Sequence, residues 1–283
     1  MKPLSALTLA AGLLSVLAVA AGALVVYSGA YNVGATTQHW QPVYSLLETT
    51  LRYSVQLRAR HIEPPALDGA QRIARGALLF HGKCVQCHGA PGVAQGDIGK
   101  SMQPLPGPLV DALQRWRPRE IYWITRHGIK MSGMPAWTFR MSDEQMWDVV
   151  AFVQHLPSLT PQAYAQATQN PAPAESVHVL PAMASETTRR PADAVRGRLA
   201  LYQYACSACH TIPGITGSSP NVGPSLAGLA SRNVLAGRLT NTPDNLVQWL
   251  RHPQAIKPLS AMPDLGVTEP DARDMAAYLA TLH

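Results

Sequence analysis

Hydrophobic and polar positions divide this chain into five stretches. Residues 4–26 carry no charged side chain, a length that crosses the hydrocarbon core of a bilayer as one helix. Residues 1–28 are therefore expected to be a transmembrane anchor or a signal. A cleavage site could lie at Ala18-Val19-Ala20, but apolar character runs on through Leu24, Val25, Val26 and Tyr27. Lys2 stays on the cytoplasmic side, so the body of the chain faces the other. In residues 29–65, Val43, Leu47, Leu51 and Val55 recur every fourth position and predict an amphipathic helix over 37–61. Arg52, Arg58 and Arg60 make its other side basic. Such a helix is either a stalk packed on the next domain or a docking helix for a membrane partner or anionic lipid. His39 and His61 flank it as surface histidines.

Two small helical domains follow, so the fold class is mainly α. In the first, 66–156, a helix over 67–80 leads towards a cysteine pair. A second helix starts at Pro118 and stops near Gly128, which fits proline inside a helix start and glycine past its end. A third opens with the Ser142/Gln145 capping box and carries Met146, Val149, Val150 and Val153 on its buried stripe. The second domain, 191–283, repeats this order. A helix covers 194–205, Thr242-Pro243 caps another over 244–251, and Thr268 caps a last one with Met275, Tyr278 and Leu279 facing inwards. Between them, 157–190 is alanine-rich and proline-punctuated, and it reads as an extended tether.

Composition adds a constraint. Charged residues are only 14% of the 283 and prolines number 24, so much of the chain is loop around small helical units. A domain of under about a hundred residues has a marginal core by itself, and a covalently held apolar cofactor offsets the shortage. The net charge of +6 is uneven. Arg115, Arg117, Arg119, Arg126, Lys130 and Arg140 gather in the first domain, either to neutralise the acidic groups of a bound cofactor or to steer an acidic partner. Nucleic acid is excluded as a partner by the expected compartment.

The candidate cofactor chemistry lies in Cys84-Val85-Gln86-Cys87-His88 and Cys206-Ser207-Ala208-Cys209-His210, which use all four cysteines. Each reads as a c-type haem attachment site: two thiols one turn apart reach the two vinyl groups of one porphyrin, and the histidine binds the iron. A shared zinc site would need the pairs at ribbon spacing, and a thioredoxin-like pair would need a β-α-β setting. Neither condition holds. Two covalently bound haem c groups are the predicted cofactors. For the opposite face of each iron, Met134-Pro135 and Met262-Pro263 lie downstream of the histidine and before the terminal helix. Thioether ligation closes the iron and raises its potential. Met131 is the alternative to Met134, and His127 would give a bis-histidine site. Met102, Met141, Met146, Met183 and Met275 read as packing or surface residues.

With these motifs in place, the chain resembles tandem, membrane-anchored class I cytochromes c. Tyr204-Ala205-Cys206, Cys209-His210-Thr211-Ile212-Pro213-Gly214, Val222-Gly223-Pro224-Ser225-Leu226 and the run from Asn241 to Gly266 are similar to the cytochrome c domain fused to subunit II of some haem-copper oxidases. That likeness covers nearly all of 191–283. It implies that the Pro224 carbonyl accepts a hydrogen bond from His210. The first domain is similar to small membrane-associated bacterial cytochromes c through Cys87-His88-Gly89-Ala90-Pro91-Gly92 and Gly133-Met134-Pro135-Ala136-Trp137. It departs at the Gly-Pro-x-Leu position, where Pro104, Pro106 and Pro108 all compete to support His88. Residues 1–65 match no such motif.

The resemblance implies an electron carrier, not an enzyme: a single-pass protein of the bacterial inner membrane with both haem domains in the periplasm. It would pass single electrons in a respiratory chain, to or within a terminal oxidase, with a quinol-oxidising complex or a dehydrogenase as other redox partners. A cytochrome subunit of a periplasmic dehydrogenase complex is the alternative within redox biology. A catalytic dihaem peroxidase would need one iron with an open position, against which two Met-Pro loops argue.

Overall fold

The computed structural model describes residues 3–169, 190–217 and 222–283. Chain contacts divide it into two compact units, 1–179 and 180–283. Helix α1 (Pro3–Ser28) contains Leu7–Ser28, a stretch long and apolar enough to cross a membrane. Unit one continues with α2 (Gln41–Ala59), α3 (Ala70–Lys83), the short turns α4 (Val85–His88), α5 (Asp97–Lys100) and α6 (Ala112–Arg115), then α7 (Pro118–His127), α8 (Asp143–His155) and α9 (Pro161–Gln169). Unit two holds α10 (Ala194–Gln203), a hairpin of β1 (Val234–Leu235) with antiparallel β2 (Leu239–Thr240), α11 (Pro243–Arg251), the short α12 (Pro253–Ile256) and α13 (Glu269–Leu279).

In unit one α3 crosses α8 closely, in unit two α10 crosses α13, and the same three residue types make each crossing. Gly76 of α3 lies against the backbone carbonyl of Asp148 in α8, where any Cβ would overlap it. Gly197 of α10 meets the carbonyl of Asp274 in α13 in the same way. The neighbouring arginine then grips the aspartate side chain. Arg75 donates from Nε at 2.7 Å and Nη2 at 3.1 Å to Asp148, which is 1% exposed. Arg196 donates from Nε at 2.9 Å and Nη2 at 3.1 Å to Asp274, which is 2% exposed. A buried carboxylate is stable only when paired and fully hydrogen-bonded. Arg72 and Arg190 add a second cation on each side.

The caps form as the sequence predicts. Ser142 Oγ accepts from Gln145 N–H and the Gln145 side chain accepts from Ser142 N–H. Thr242 and Thr268 cap α11 and α13, and Gly128 ends α7 at φ 64°. Helix α8 differs from a striped surface helix: every residue from Met146 to Val153 is buried, because α3, α7 and the neighbouring loops enclose it. Tyr122 stacks on Trp147 at 4.1 Å and Phe80 tilts onto Phe152 at 5.4 Å.

Two expectations need correction. The tether expected over 157–190 is not extended at its start. Pro161 opens α9, and Tyr164 on it is 1% exposed, tucked beside Phe152 with its hydroxyl 3.0 Å from His81 Nδ1. Leu159 and Ala167 pack on the same core beside it, and an aromatic ring with a polar partner for its hydroxyl anchors the segment there. The rest of the tether, with Met183, lies outside the described residues. The helix expected over 37–61 is shorter, and only its C-terminal end packs as a stalk. Val55 and Ala59 are fully buried against unit one, whereas Trp40, Leu46 and Leu47 stay exposed.

Candidate haem-binding sites

In unit one, Cys84 caps α3 and the chain turns at once into α4. Cys87 N–H and His88 N–H both donate to the Cys84 carbonyl, at 3.1 and 2.9 Å. This turn sets the two thiols and the imidazole on one side of the chain, three and four residues apart. His88 Nδ1 lies 2.7 Å from the Gly107 carbonyl. A carbonyl only accepts, so Nδ1 carries the proton and the Nε2 lone pair is left for a metal. Burial pushes the His88 pKa down, and the Gly107 hydrogen bond opposes it. A cavity of about 520 Å³ opens beside His88, walled by Ala90, Val93, Leu105, Leu109 and Leu156.

The supporting carbonyl therefore belongs to Gly107, and to none of Pro104, Pro106 or Pro108. The reason is Gln95. Its Nε2 donates to the Cys87 carbonyl at 2.8 Å and to the Pro106 carbonyl at 2.5 Å. Successive carbonyls of extended chain point in opposite directions, so the next one, on Gly107, faces the imidazole.

Unit two builds the same turn from a 3-10 segment, Cys206–Ala208, entered through Ala205 at φ 54°. His210 N–H donates to the Cys206 carbonyl at 2.9 Å. His210 Nδ1 lies 2.8 Å from the Pro224 carbonyl, the partner that the resemblance implied. A Cβ on Gly223 would sit 2.5 Å from the His210 ring, so only glycine lets this strap lie flat against the imidazole. Gly223 N–H also donates to the Cys209 carbonyl at 2.8 Å.

All four cysteines are free. Burial pushes the Cys84 thiol up to about 12 and the Cys206 thiol up to about 11. Each unit holds one cysteine pair, and among the described residues no three or more His, Cys, Asp or Glu side chains are grouped so as to hold a bare metal ion. The residues present fit a haem instead: paired thiols, a histidine with its outer nitrogen free, and an apolar wall.

The two Met-Pro loops share one turn. Met131 and Leu259 each sit three residues before the methionine, at φ 57° and 61°, and are 97% and 99% exposed. A serine follows each. Ser132 Oγ accepts from Met134 N–H at 3.2 Å, and Ser260 Oγ lies 3.3 Å from the Met262 carbonyl. Met134 and Met262 are themselves partly buried, and Met262 packs on the core of unit two. In unit one the loop rests on Gly128, where a Cβ would lie 2.7 Å from the Met134 carbonyl. Ile129 N–H donates to that carbonyl at 3.1 Å. In unit two the latch is a side chain: Gln254 Nε2 donates to the Ser260 carbonyl at 2.9 Å and the Met262 carbonyl at 2.6 Å.

Sequence reasoning missed Gln95, Gln254 and Gly107. A signal for the loop was present in the parallel Met131-Ser132-Gly133-Met134-Pro135 and Leu259-Ser260-Ala261-Met262-Pro263. His127 packs against Trp123 at the end of α7. Part of the basic cluster is neutralised internally: Arg115 pairs with Asp111 at 3.1 Å, and Arg126 pairs with Asp143.

Comparison with known proteins covers both units. Residues 71–153 match the family described as cytochrome c oxidase, cbb3-type, subunit III, and residues 194–283 match the family described as cytochrome c. The chain is 37% identical to cytochrome c2 of Rhodopila globiformis over 106 residues, covering 32% of this chain and 95% of that protein. It is 30% identical to cytochrome c6 of Thermosynechococcus vestitus over 92 residues, 32% of this chain and 75% of the relative. It is 35% identical to cytochrome c oxidase subunit 2 of Alkalihalophilus pseudofirmus over 88 residues, 31% of this chain; the match spans only a quarter (25%) of that subunit's length.

Proposed function

We propose, from the premise that this chain belongs to the cytochrome c family, that it is a membrane-tethered dihaem carrier. It passes single electrons to, or within, a terminal oxidase in the bacterial periplasm. Cys84 and Cys87 hold one haem c, Cys206 and Cys209 the other. His88 and His210 are the nitrogen ligands, and Met134 and Met262 the sulfur ligands. When bound, each haem supplies a one-electron ferric/ferrous couple.

The observation that carries this reading is the recurrence, in both units, of a histidine pinned through Nδ1 and a Met-Pro loop on the same turn. The pinned imidazole keeps its ring plane and tautomer through a redox cycle. Methionine on the other face leaves no position for peroxide, which favours transfer over catalysis. Met131 supports this assignment indirectly: its side chain points to solvent at the position that Leu259 occupies in unit two, a residue that cannot ligate iron. The oxidase link rests on the family matched by unit one and on the likeness of unit two to an oxidase subunit. Tethering rests on α1.

The full chain should carry two haem masses, stay with the membrane fraction, and titrate in two one-electron steps with low-spin ferric spectra. It should also restore oxygen uptake by the oxidase with which it co-purifies. A high-spin ferric haem that turns over peroxide would overturn the carrier reading. Co-isolation with a periplasmic dehydrogenase would replace the oxidase as partner.

A further inference from the structure

We infer that Gln254 and Gln95 are positioning residues that fix opposite faces of the two haems: Gln254 sets the Met262 side in unit two, and Gln95 the His88 side in unit one. The inference rests on the ligand assignment above, and its test separates the two.

Each unit ties one face with a glutamine amide, Gln254 on the methionine side of unit two and Gln95 on the histidine side of unit one, and among the described residues the opposite face has no such glutamine. In unit two the histidine strap is closed by Gly223 N–H on the Cys209 carbonyl, while the methionine loop is closed by Gln254. In unit one the methionine loop is closed by Ile129 N–H on the Met134 carbonyl, while Gln95 ties the Cys87 carbonyl to Pro106 on the histidine side. Gln254 reaches eight residues forward from the short α12 to the Met262 carbonyl itself, at 2.6 Å. It also takes in the Ser260 carbonyl and Oγ, at 2.9 and 3.2 Å. The loop it crosses includes Leu259 at φ 61°, a conformation that a leucine adopts only when its surroundings hold it there.

A thioether is a weak, neutral ligand, and an added base replaces it whenever the loop swings away. An amide tied to the ligand residue's own carbonyl opposes that swing. Gln95 acts differently. By holding Pro106 it aims the Gly107 carbonyl at His88, and the strength of that hydrogen bond tunes how much electron density the imidazole gives to iron.

The test uses the full-length holoprotein, in which each haem serves as the control for the other. Gln254→Leu should raise the affinity of one ferric haem for added imidazole about tenfold, the factor corresponding to about 1.4 kcal/mol, close to the net worth of a hydrogen bond. It should weaken half of the near-infrared methionine-to-iron band. Gln254→Glu keeps the volume but cannot donate when ionised, and should behave the same way; Gln254→Lys still donates and should return the titration to wild type. Gln95→Leu should leave the whole band in place and raise the potential of one haem. Wild-type imidazole titrations in both Gln254→Leu and Gln254→Glu overturn the proposal, and so does a Gln254→Lys no better than Gln254→Glu. Met262→Ala examines the ligand assignment separately: a full band in that variant sinks the assignment, whatever the glutamine variants do.

Discussion

Units one and two solve the same packing problem identically and the same ligand problem differently. Their helix crossings match residue for residue, with Arg75-Gly76 against Asp148 and Arg196-Gly197 against Asp274. Their haem-facing loops use different latches, different supporting carbonyls and different turn residues. The crossing is backbone against backbone, where only glycine fits and the aspartate beneath it needs a cation. The loops are free to vary, because any donor that reaches the right carbonyl will do.

The largest effect should come from breaking the crossing. Gly76→Val or Gly197→Val forces a β-branched side chain onto a backbone carbonyl, and each should cost its own unit more than about 4 kcal/mol. Calorimetry on the full chain should show one transition lost or shifted and the other unmoved. Next, Arg75→Ala removes the two-pronged contact to the buried Asp148, leaving Arg72 as its remaining cation, and should cost about 3 kcal/mol. Arg196→Ala should cost less, because the Arg196 side chain is 41% exposed and that of Arg75 only 22%, each aspartate keeping a second arginine. Equal losses would mean the two crossings are not graded by burial.

Tyr164 offers a pH comparison between the units. Burial raises its pKa to about 12 from an ordinary value of about 10. The neutral phenol is the form the fold prefers. Its contribution is complete below pH 10 and is lost as pH climbs towards 12, where the unfolded chain releases the proton first. Thermal melts of unit one should therefore fall between pH 10 and 12, and Tyr164→Phe should flatten that fall at the expense of the His81 hydrogen bond, about 1 kcal/mol. The smallest effect is a gain. Leu259→Gly and Met131→Gly should each stabilise their unit by about 0.5–1 kcal/mol, since glycine enters the left-handed region without strain.

These contrasts mark what could be read from the chain alone. Cysteine pairs, helix caps and Met-Pro loops are local, and a local pattern carries its geometry with it: Ser142, Thr242, Thr268 and Gly128 all act where expected. Gln95 and Gln254 were invisible because a glutamine that reaches eight or more residues along an irregular loop leaves no period. The Arg–Asp pairs join the two ends of a domain, and nothing near Arg75 points to Asp148. Helix α9 was hidden for another reason: its composition is that of a tether, and Tyr164, with Leu159 and Ala167, packs on a surface that exists only once α3 and α8 have crossed. The choice of Gly107 over three prolines was likewise settled by the glutamine beside it.

Val55 and Ala59 bury the end of α2 in unit one, which leaves only residues 29–40 as slack between α1 and the domain. Twelve residues reach at most about 40 Å when fully extended. With α1 in a bilayer, that leash would keep the first domain close to its point of attachment, free to turn but not to diffuse away.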